Sequence, residues 1–485
     1  MGGTSVIGID AASLVKLWIG GKACDSQSQE TYPLINPFTG QVVARIARGG
    51  RADALSAIEA AARAFPLWSH LAGNERANRL YKAYHLLRRY RAELETLLIE
   101  DLGKTAREAA KEVRSTGAFL RYCAEEARRI FGDFVPSPDP KKRVVVVPQP
   151  VGIVTAITAS NAPGILFGRK VAPALAAGCT LIVKPAEEAV RVTLLLAQLF
   201  EEAGLPSGAV NVVMGDAPAI VETLLGDPRV AMVTFTGSVQ VGREVMRLAA
   251  AGPKRVVLEL GGVAPFIVFA DAELQAAVEG LVAAKFRHAG QICASPQRIF
   301  VEERVAEPFK ALLVERLARV KVGDPREEAT DYGPLQHQRN LQKIQRLLED
   351  ALARGARVVT GGHSPGGLLF APTLLEGVTD EMAIAREEAF GPLIALATFR
   401  DEAEVIERSN NTAYGLGAYV YTRDLARAWR LAEALEVGIV GVNDPFPATI
   451  EGPFGGVKQS GSGFEGGRYG IEEFLLKKQV SFSLA

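Results

Sequence analysis

From about residue 151, short uninterrupted apolar runs alternate with longer amphipathic stretches. Runs at 151–158, 180–183, 210–214 and 230–234 read as strands, separated by helices over 166–177, 191–203, 217–226 and 239–250. Strands apolar on both faces that alternate with helices predict a doubly wound parallel sheet. A second series of the same kind begins with strands at 255–260 and 265–269 and a helix over 272–288. It continues to about residue 460 through strands at 298–301, 357–359 and 393–399 and helices over 305–319, 336–353, 402–408 and 424–436. Upstream, 35–40 reads as a turn between two short strands, and helical periodicity covers 51–65, 74–101 and 104–131. In the middle stretch Leu80, Tyr84, Leu87, Leu94, Leu97 and Leu98 form a core-facing stripe. Runs at 143–148 and 475–483 read as strands outside both series, suited to pairing with another subunit.

The fold class that follows is α/β, with two doubly wound domains of mainly parallel sheet and a small β-strand oligomerisation arm. Residues 1–130 and 150–258 are assigned to the first domain and 259–462 to the second. Residues 131–149 and 463–485 form the arm and C-terminal strand. A length of 485 residues calls for more than one hydrophobic core.

Composition narrows the function by exclusion. Lys plus Arg equals Asp plus Glu at 55 each, so no net charge favours nucleic acid or an anionic membrane. The five histidines are scattered singly, without metal-ligand spacing, so no metal is expected. Cys24, Cys123, Cys179 and Cys293 contain no C-x-x-C pair and suit a reduced, cytoplasmic protein. Residues 1–20 lack the pattern of a signal peptide, and the longest apolar run is too short to span a bilayer.

Candidate chemistry lies in the loops after the strands, where open parallel sheets bind ligands. Asn161, after the first strand, can aim an amide N–H at a developing oxyanion; an Asn-x-Pro turn is the plainer reading. Lys184 and Glu187 follow the second strand and can hold ribose hydroxyls or form a solvated charge pair. Gly237-Ser238 opens the 239–250 helix, where backbone N–H groups can meet a pyrophosphate, although no G-x-G-x-x-G fingerprint is present. Cys293 follows the Gly290-Gln291 turn, 34 residues after Glu259 in Leu258-Glu259-Leu260-Gly261-Gly262. A thiol becomes useful when its pKa is lowered and a base stands nearby, so the pair suggests covalent catalysis through a thioester.

Taken together and in order, these motifs resemble the NAD(P)-dependent aldehyde dehydrogenase superfamily, from Asn36-Pro37-Phe38-Thr39-Gly40 to Gly455-Gly456-Val457-Lys458-Gln459-Ser460-Gly461. The resemblance implies that Cys293 is the nucleophile, that Glu259 activates water, and that Asn161 and the Cys293 N–H form an oxyanion hole. It implies Glu465 as a proton-relaying carboxylate. For the cofactor it implies Lys184 and Glu187 at the adenosine ribose, Gly237 and Ser238 at the pyrophosphate, and Glu388 and Phe390 at the nicotinamide. Thr158, Phe235 and Gly261 join this set, and the first domain becomes the NAD(P)-binding one. Dimers or tetramers are implied as well.

Within the superfamily the pattern is similar to the succinate-semialdehyde dehydrogenase group, which binds a substrate carboxylate with two arginines and a hydroxyl. Arg169, Arg287 and Thr449 match those places, which implies a small carboxylated semialdehyde. Arginines acting only as structural ion-pair partners are the alternative. The family's aromatic residues beside the oxyanion-hole Asn are here Ser160 and Ala162, a loss of bulk near the substrate tunnel. Ser295 stands where that group often has a second cysteine. Glu187 places negative charge where a 2′-phosphate would sit, so NAD is expected, with NADP possible through nearby Arg191. Competing readings are a CoA-acylating semialdehyde dehydrogenase, which the base Glu259 disfavours, an enzyme for neutral aldehydes, and a non-catalytic binding member of the family.

Overall fold

The computed structural model describes residues 14–484. The expectation of no signal peptide rests largely on residues 1–13, which lie outside the described residues.

The first alternating series folds into an eight-stranded sheet. Its parallel centre runs in the spatial order Arg255–Leu260, Val230–Gly237, Ile153–Thr158, Thr180–Pro185, Val210–Val212. The chain builds outward from Ile153–Thr158 in one direction and then returns to add Val230–Gly237 on its other side. A crevice opens at such a switch point, beyond the carboxyl ends of the strands. Leu17–Ile19, Lys22–Cys24 and Gly461–Ser462 add antiparallel edges. The second series forms a seven-stranded sheet, parallel except for Arg357–Thr360, around the central strand Pro296–Glu302, which Ala264–Val268 and Leu393–Phe399 flank. The expected pair of doubly wound domains is what the chain forms.

Most elements fall within a few residues of their expected positions. The expected helix over 74–101 is two helices, Gly73–Arg89 and Arg91–Leu102, meeting at Tyr90. Tyr90 leaves helical geometry at φ −90°, ψ 15° while its N–H and C=O still serve the two helices. The apolar stripe runs on across this joint, so periodicity alone does not reveal it. Thr373–Glu376, Gly417–Tyr421 and Ile439–Val442 are strands of the second sheet that the apolar pattern did not mark. Each is only four or five residues long and set among glycines and polar residues.

Lys142–Pro150 pairs antiparallel with Leu475–Ser483 over nine residues and also with Asp133–Val135. This three-stranded arm leaves Phe134 and Phe482 exposed at 66% and 52%. The segment between the second sheet and the arm is not all strand: Gly467–Glu472 is a helix packed on the first domain's helices. No helix among the described residues is long and apolar enough to cross a membrane.

Candidate active site

The loops at the carboxyl ends of the first sheet's strands face loops that mainly enter the strands of the second: Cys293 stands just before Pro296–Glu302, and Glu388 and Phe390 just before Leu393–Phe399. One cavity there is lined by Asn161, Arg169, Glu259, Arg287, Cys293 and Thr449. Six residues named from sequence, spread over 288 positions (449 minus 161), therefore share a single space. Thr236, Tyr419, Phe446 and Phe454 complete much of its wall.

Glu259 stands on the Arg255–Leu260 strand, opposite Thr236 in register. It is buried, and its carboxylate faces the Cys293 thiol. Burial and the nearby Glu465 charge push its pKa up to about 7, against the opposing pull of Lys170 and Arg169. Cys293 is half-buried at the cavity wall. Its thiol is raised well above the ordinary range by loss of solvent and by the facing Glu259, while Arg169 pulls it down. A buried carboxylate titrating near neutrality and facing a thiol is placed to exchange a proton with it.

The loop before Cys293 is unusual backbone. His288, Ala289 and Gly290 have φ of 47°, 56° and 77°, three successive left-handed residues. Such conformations persist only where surrounding contacts fix them. Gln291 supplies these contacts: its side chain donates to the carbonyls of His288 and Pro334 and accepts from Gln336 N and Asn340 Nδ2. The His288 N–H is held by Glu108, which also caps the Ala106–Glu126 helix. Gln291 and Glu108 were not singled out from sequence. A Gln buried amid polar backbone leaves no periodic signal.

Asn161 donates one amide hydrogen to the Gln291 carbonyl at 3.0 Å, which ties it to the Cys293 loop and leaves its second N–H uncommitted. Its own carbonyl accepts from Lys104 at 2.6 Å, and Lys104 pairs with buried Glu112, which accepts from Gly164 N. This buried chain fixes the Asn161 turn from below. Ala162 lines the cavity, but Ser160 does not: its hydroxyl and carbonyl both bond Gln336. The loss of bulk expected at both positions therefore affects the tunnel only at Ala162.

Glu465 lies outside the cavity wall. It is bound to Lys170, buried behind Glu259, and its second oxygen has no partner. Arg169 makes no ion pair among the described residues; its guanidinium lies 4.1 Å over the Phe454 ring. Arg287 is likewise without an ion pair and sits over Phe446.

The remaining residues gather at the crevice of the first sheet. Thr158 ends the strand next to the one ended by Gly237, and Lys184 pairs in register with Ile157. Ser238 caps the Val239–Ala249 helix through Val241 N at 3.3 Å. Lys184 is buried, its pKa lowered by loss of solvent, and among the described residues it has no ion-pair partner. Glu187 is exposed and lines a groove with Glu188 and His337. Glu388 comes from the opposite domain and presses against Gly261, where a Cβ would stand 2.5 Å from its carboxylate. Gln297, also unremarked in sequence, grips that loop through the carbonyls of Ile384 and Glu387 and the N–H of Ala389. Phe390 follows at φ 50°. Arg191 does not join the groove. It is fully buried and bound to Asp101 and Glu100, so it cannot offset the charge of Glu187.

The aldehyde dehydrogenase family model matches residues 24–480. The chain belongs to the aldehyde dehydrogenase family. It is an enzyme, an NAD(P)-dependent aldehyde dehydrogenase. Similar proteins include a glutarate-semialdehyde dehydrogenase of Pseudomonas putida, 42% identical over 96% of this chain and 97% of that one. A succinate-semialdehyde dehydrogenase [NADP(+)] of Escherichia coli is 42% identical over 96% and 97%. Among solved structures, a succinate-semialdehyde dehydrogenase from Burkholderia pseudomallei superposes with a TM-score of 0.95 at 42% identity, over 96% and 98% of the two chains.

Proposed function

We propose that this aldehyde dehydrogenase oxidises a small aldehyde carrying an acidic group at its far end, through a thioester on Cys293. The observation that carries the acidic substrate is that Arg169 and Arg287 face the Cys293 cavity without an ion-pair partner. An unpaired guanidinium in a half-closed space gains most from a planar carboxylate. Thr449 accepts from Gly452 N, which leaves its hydroxyl hydrogen for a third contact. The succinate- and glutarate-semialdehyde specificities of the relatives agree with this reading. Succinate semialdehyde should have a higher kcat/KM than butanal, and Arg169→Met should erase most of that difference through KM. A wild-type preference for hexanal or benzaldehyde would refute the reading.

Glu259 takes the thiol proton as Cys293 attacks the aldehyde carbon. The resulting alkoxide lies between the free Asn161 N–H and the Cys293 backbone N–H; one such donor is worth about 10²–10³ in rate. NAD(P)+ supplies the hydride acceptor when bound. Glu259, having passed its proton on through the Glu465–Lys170 pair, deprotonates the water that hydrolyses the thioester. A water-directed base at this position favours the free acid over a CoA ester as product.

The crevice residues fit the cofactor. The first-turn N–H groups of the Ser238-capped helix lack intrahelical acceptors, which suits a pyrophosphate. Unpaired Lys184 beside exposed Glu187 suits ribose hydroxyls, with Thr158 and Phe235 on the neighbouring strand ends. Glu388, held against Gly261, and Phe390 are the matching pair for the nicotinamide end. With Arg191 sequestered, Glu187 and Glu188 oppose a 2′-phosphate, so NAD is the preferred cofactor, unlike the E. coli relative. The Kd for NAD should be lower than that for NADP at matched ionic strength, and Glu187→Gln should narrow the gap. Tighter NADP binding by the wild type would contradict this.

We further infer that residues 1–130 and 150–258 form the cofactor domain and 259–462 the catalytic domain, and that exposed Phe134 and Phe482 on the arm are covered by a second copy of the chain. A monomeric mass by light scattering would exclude that assembly. Four free cysteines suit a reducing, cytoplasmic setting.

A further inference from the structure

The Ala106–Glu126 helix presents one face to the active-site cavity. Lys111, Ser115 and Phe119, spaced four residues apart, all line it. Such spacing sets side chains in a row along one side of a helix. Phe119 underlies the Arg169 guanidinium at 5.5 Å. At the outer end, the Lys111 ammonium stands 4.2 Å from the centre of the Phe446 ring, and the Arg287 guanidinium stands 5.5 Å from the same ring. Lys111, Arg287 and Phe446 also line a second, outer cavity and so form the neck between the two.

The charges at this neck do not balance. In the outer cavity Arg107 pairs with Asp331 at 3.0 Å and Arg316 with Glu279 at 2.9 Å. Lys111 and Arg287 pair with nothing among the described residues. The nearest acid, Glu108, one turn before Lys111, is occupied by the N–H groups of Thr105 and His288. Inside the neck the cavity holds a third unpaired cation, Arg169, and one acid, Glu259. Burial and the facing Arg287 and Arg114 charges lower the Lys111 pKa, with the Glu108 carboxylate pulling the other way.

We propose that Lys111 is a specificity-determining residue that joins Arg169 and Arg287 in binding substrate, and that the site is built for an aldehyde whose far end carries two negative charges. This rests on the acidic-substrate reading above and extends it. A single carboxylate on Arg169 leaves two cations at the neck uncompensated. A doubly ionised group, or two acidic groups, supplies the missing negative charge at the neck, where Lys111 and Arg287 flank the Phe446 ring. Lys111 touches no reacting atom, so its effect falls on KM and on discrimination between substrates.

The test compares three aldehydes of similar length: butanal, succinate semialdehyde and 3-phosphonopropanal, at a pH where the phosphonate is fully ionised. For the wild type, kcat/KM should rise in that order. Lys111→Met should lower the phosphonate-to-carboxylate ratio about tenfold, the size of one charged hydrogen bond, through KM with kcat little moved. Lys111→Arg should restore most of the ratio. An unchanged melting temperature for both variants separates this effect from misfolding. A wild-type preference for butanal would overturn the acidic-substrate reading and this proposal with it. Succinate semialdehyde favoured over butanal, with the phosphonate ratio unmoved in Lys111→Met, would overturn this proposal alone. An equal loss for both acidic aldehydes would overturn the two-charge claim.

Discussion

Cys293→Ala should abolish aldehyde oxidation, with a fall in kcat of at least about 10⁴-fold, the scale seen when a covalent nucleophile is removed. Cofactor binding should survive, because the crevice residues stand on the first sheet and on the Glu388 loop, which Gln297 holds independently. Cys293 is half-buried at a cavity wall, so the lost sulfur leaves little new void and the melting temperature should hardly move. Cys123 and Cys179 provide the internal control. Both are buried in the first core, their thiols pushed far up by loss of solvent, and neither approaches the cavity. Retained turnover in Cys293→Ala would remove the covalent mechanism and point to catalysis by another group.

Glu259→Gln should uncouple the two halves of the reaction. In the proposed mechanism thiol addition to the aldehyde and hydrolysis of the thioester both call on Glu259, but water is the weaker nucleophile, so hydrolysis depends on the base more. Rapid mixing should therefore give a burst of reduced cofactor, slowed but approaching one equivalent per site, followed by a steady rate lowered about 10²–10⁴-fold. The pH profile follows from the same group. With a pKa pushed up to about 7, Glu259 is protonated and useless as a base below neutrality, and it ionises as pH rises. Steady-state turnover of the wild type should climb through about pH 7, and that limb should vanish in Glu259→Gln. A limb that persists in the variant would assign the base elsewhere.

The fold was legible where strands are buried on both faces, because their apolar runs stand out against the helices between them. It was less legible where packing rather than periodicity decides. Tyr90 interrupts a helix without interrupting its apolar stripe. Gly417–Tyr421, in the second sheet, is a short strand that starts at a glycine and ends at polar residues. At the site, Asn161 follows one strand of the first parallel sheet and Glu259 stands near the carboxyl end of another, so that sheet places them at one edge; Cys293 precedes a strand of the second sheet and joins them through the packing of the two sheets. Their supports were invisible: Gln291, Gln297 and the Lys104–Glu112 pair act on backbone groups remote in sequence. Arg191 misled for the opposite reason. Closeness to Glu187 in the chain suggested a shared role, but the helix turns it inward to Asp101.

The central claim, a thioester on Cys293 that Glu259 resolves with water, is tested most directly by mapping the trapped intermediate. Glu259→Gln incubated with NAD+ and succinate semialdehyde, quenched in acid and digested, should yield one acylated peptide, with the succinyl group on Cys293. Absence of an adduct despite a burst of reduced cofactor, or an adduct on another residue, would contradict the account.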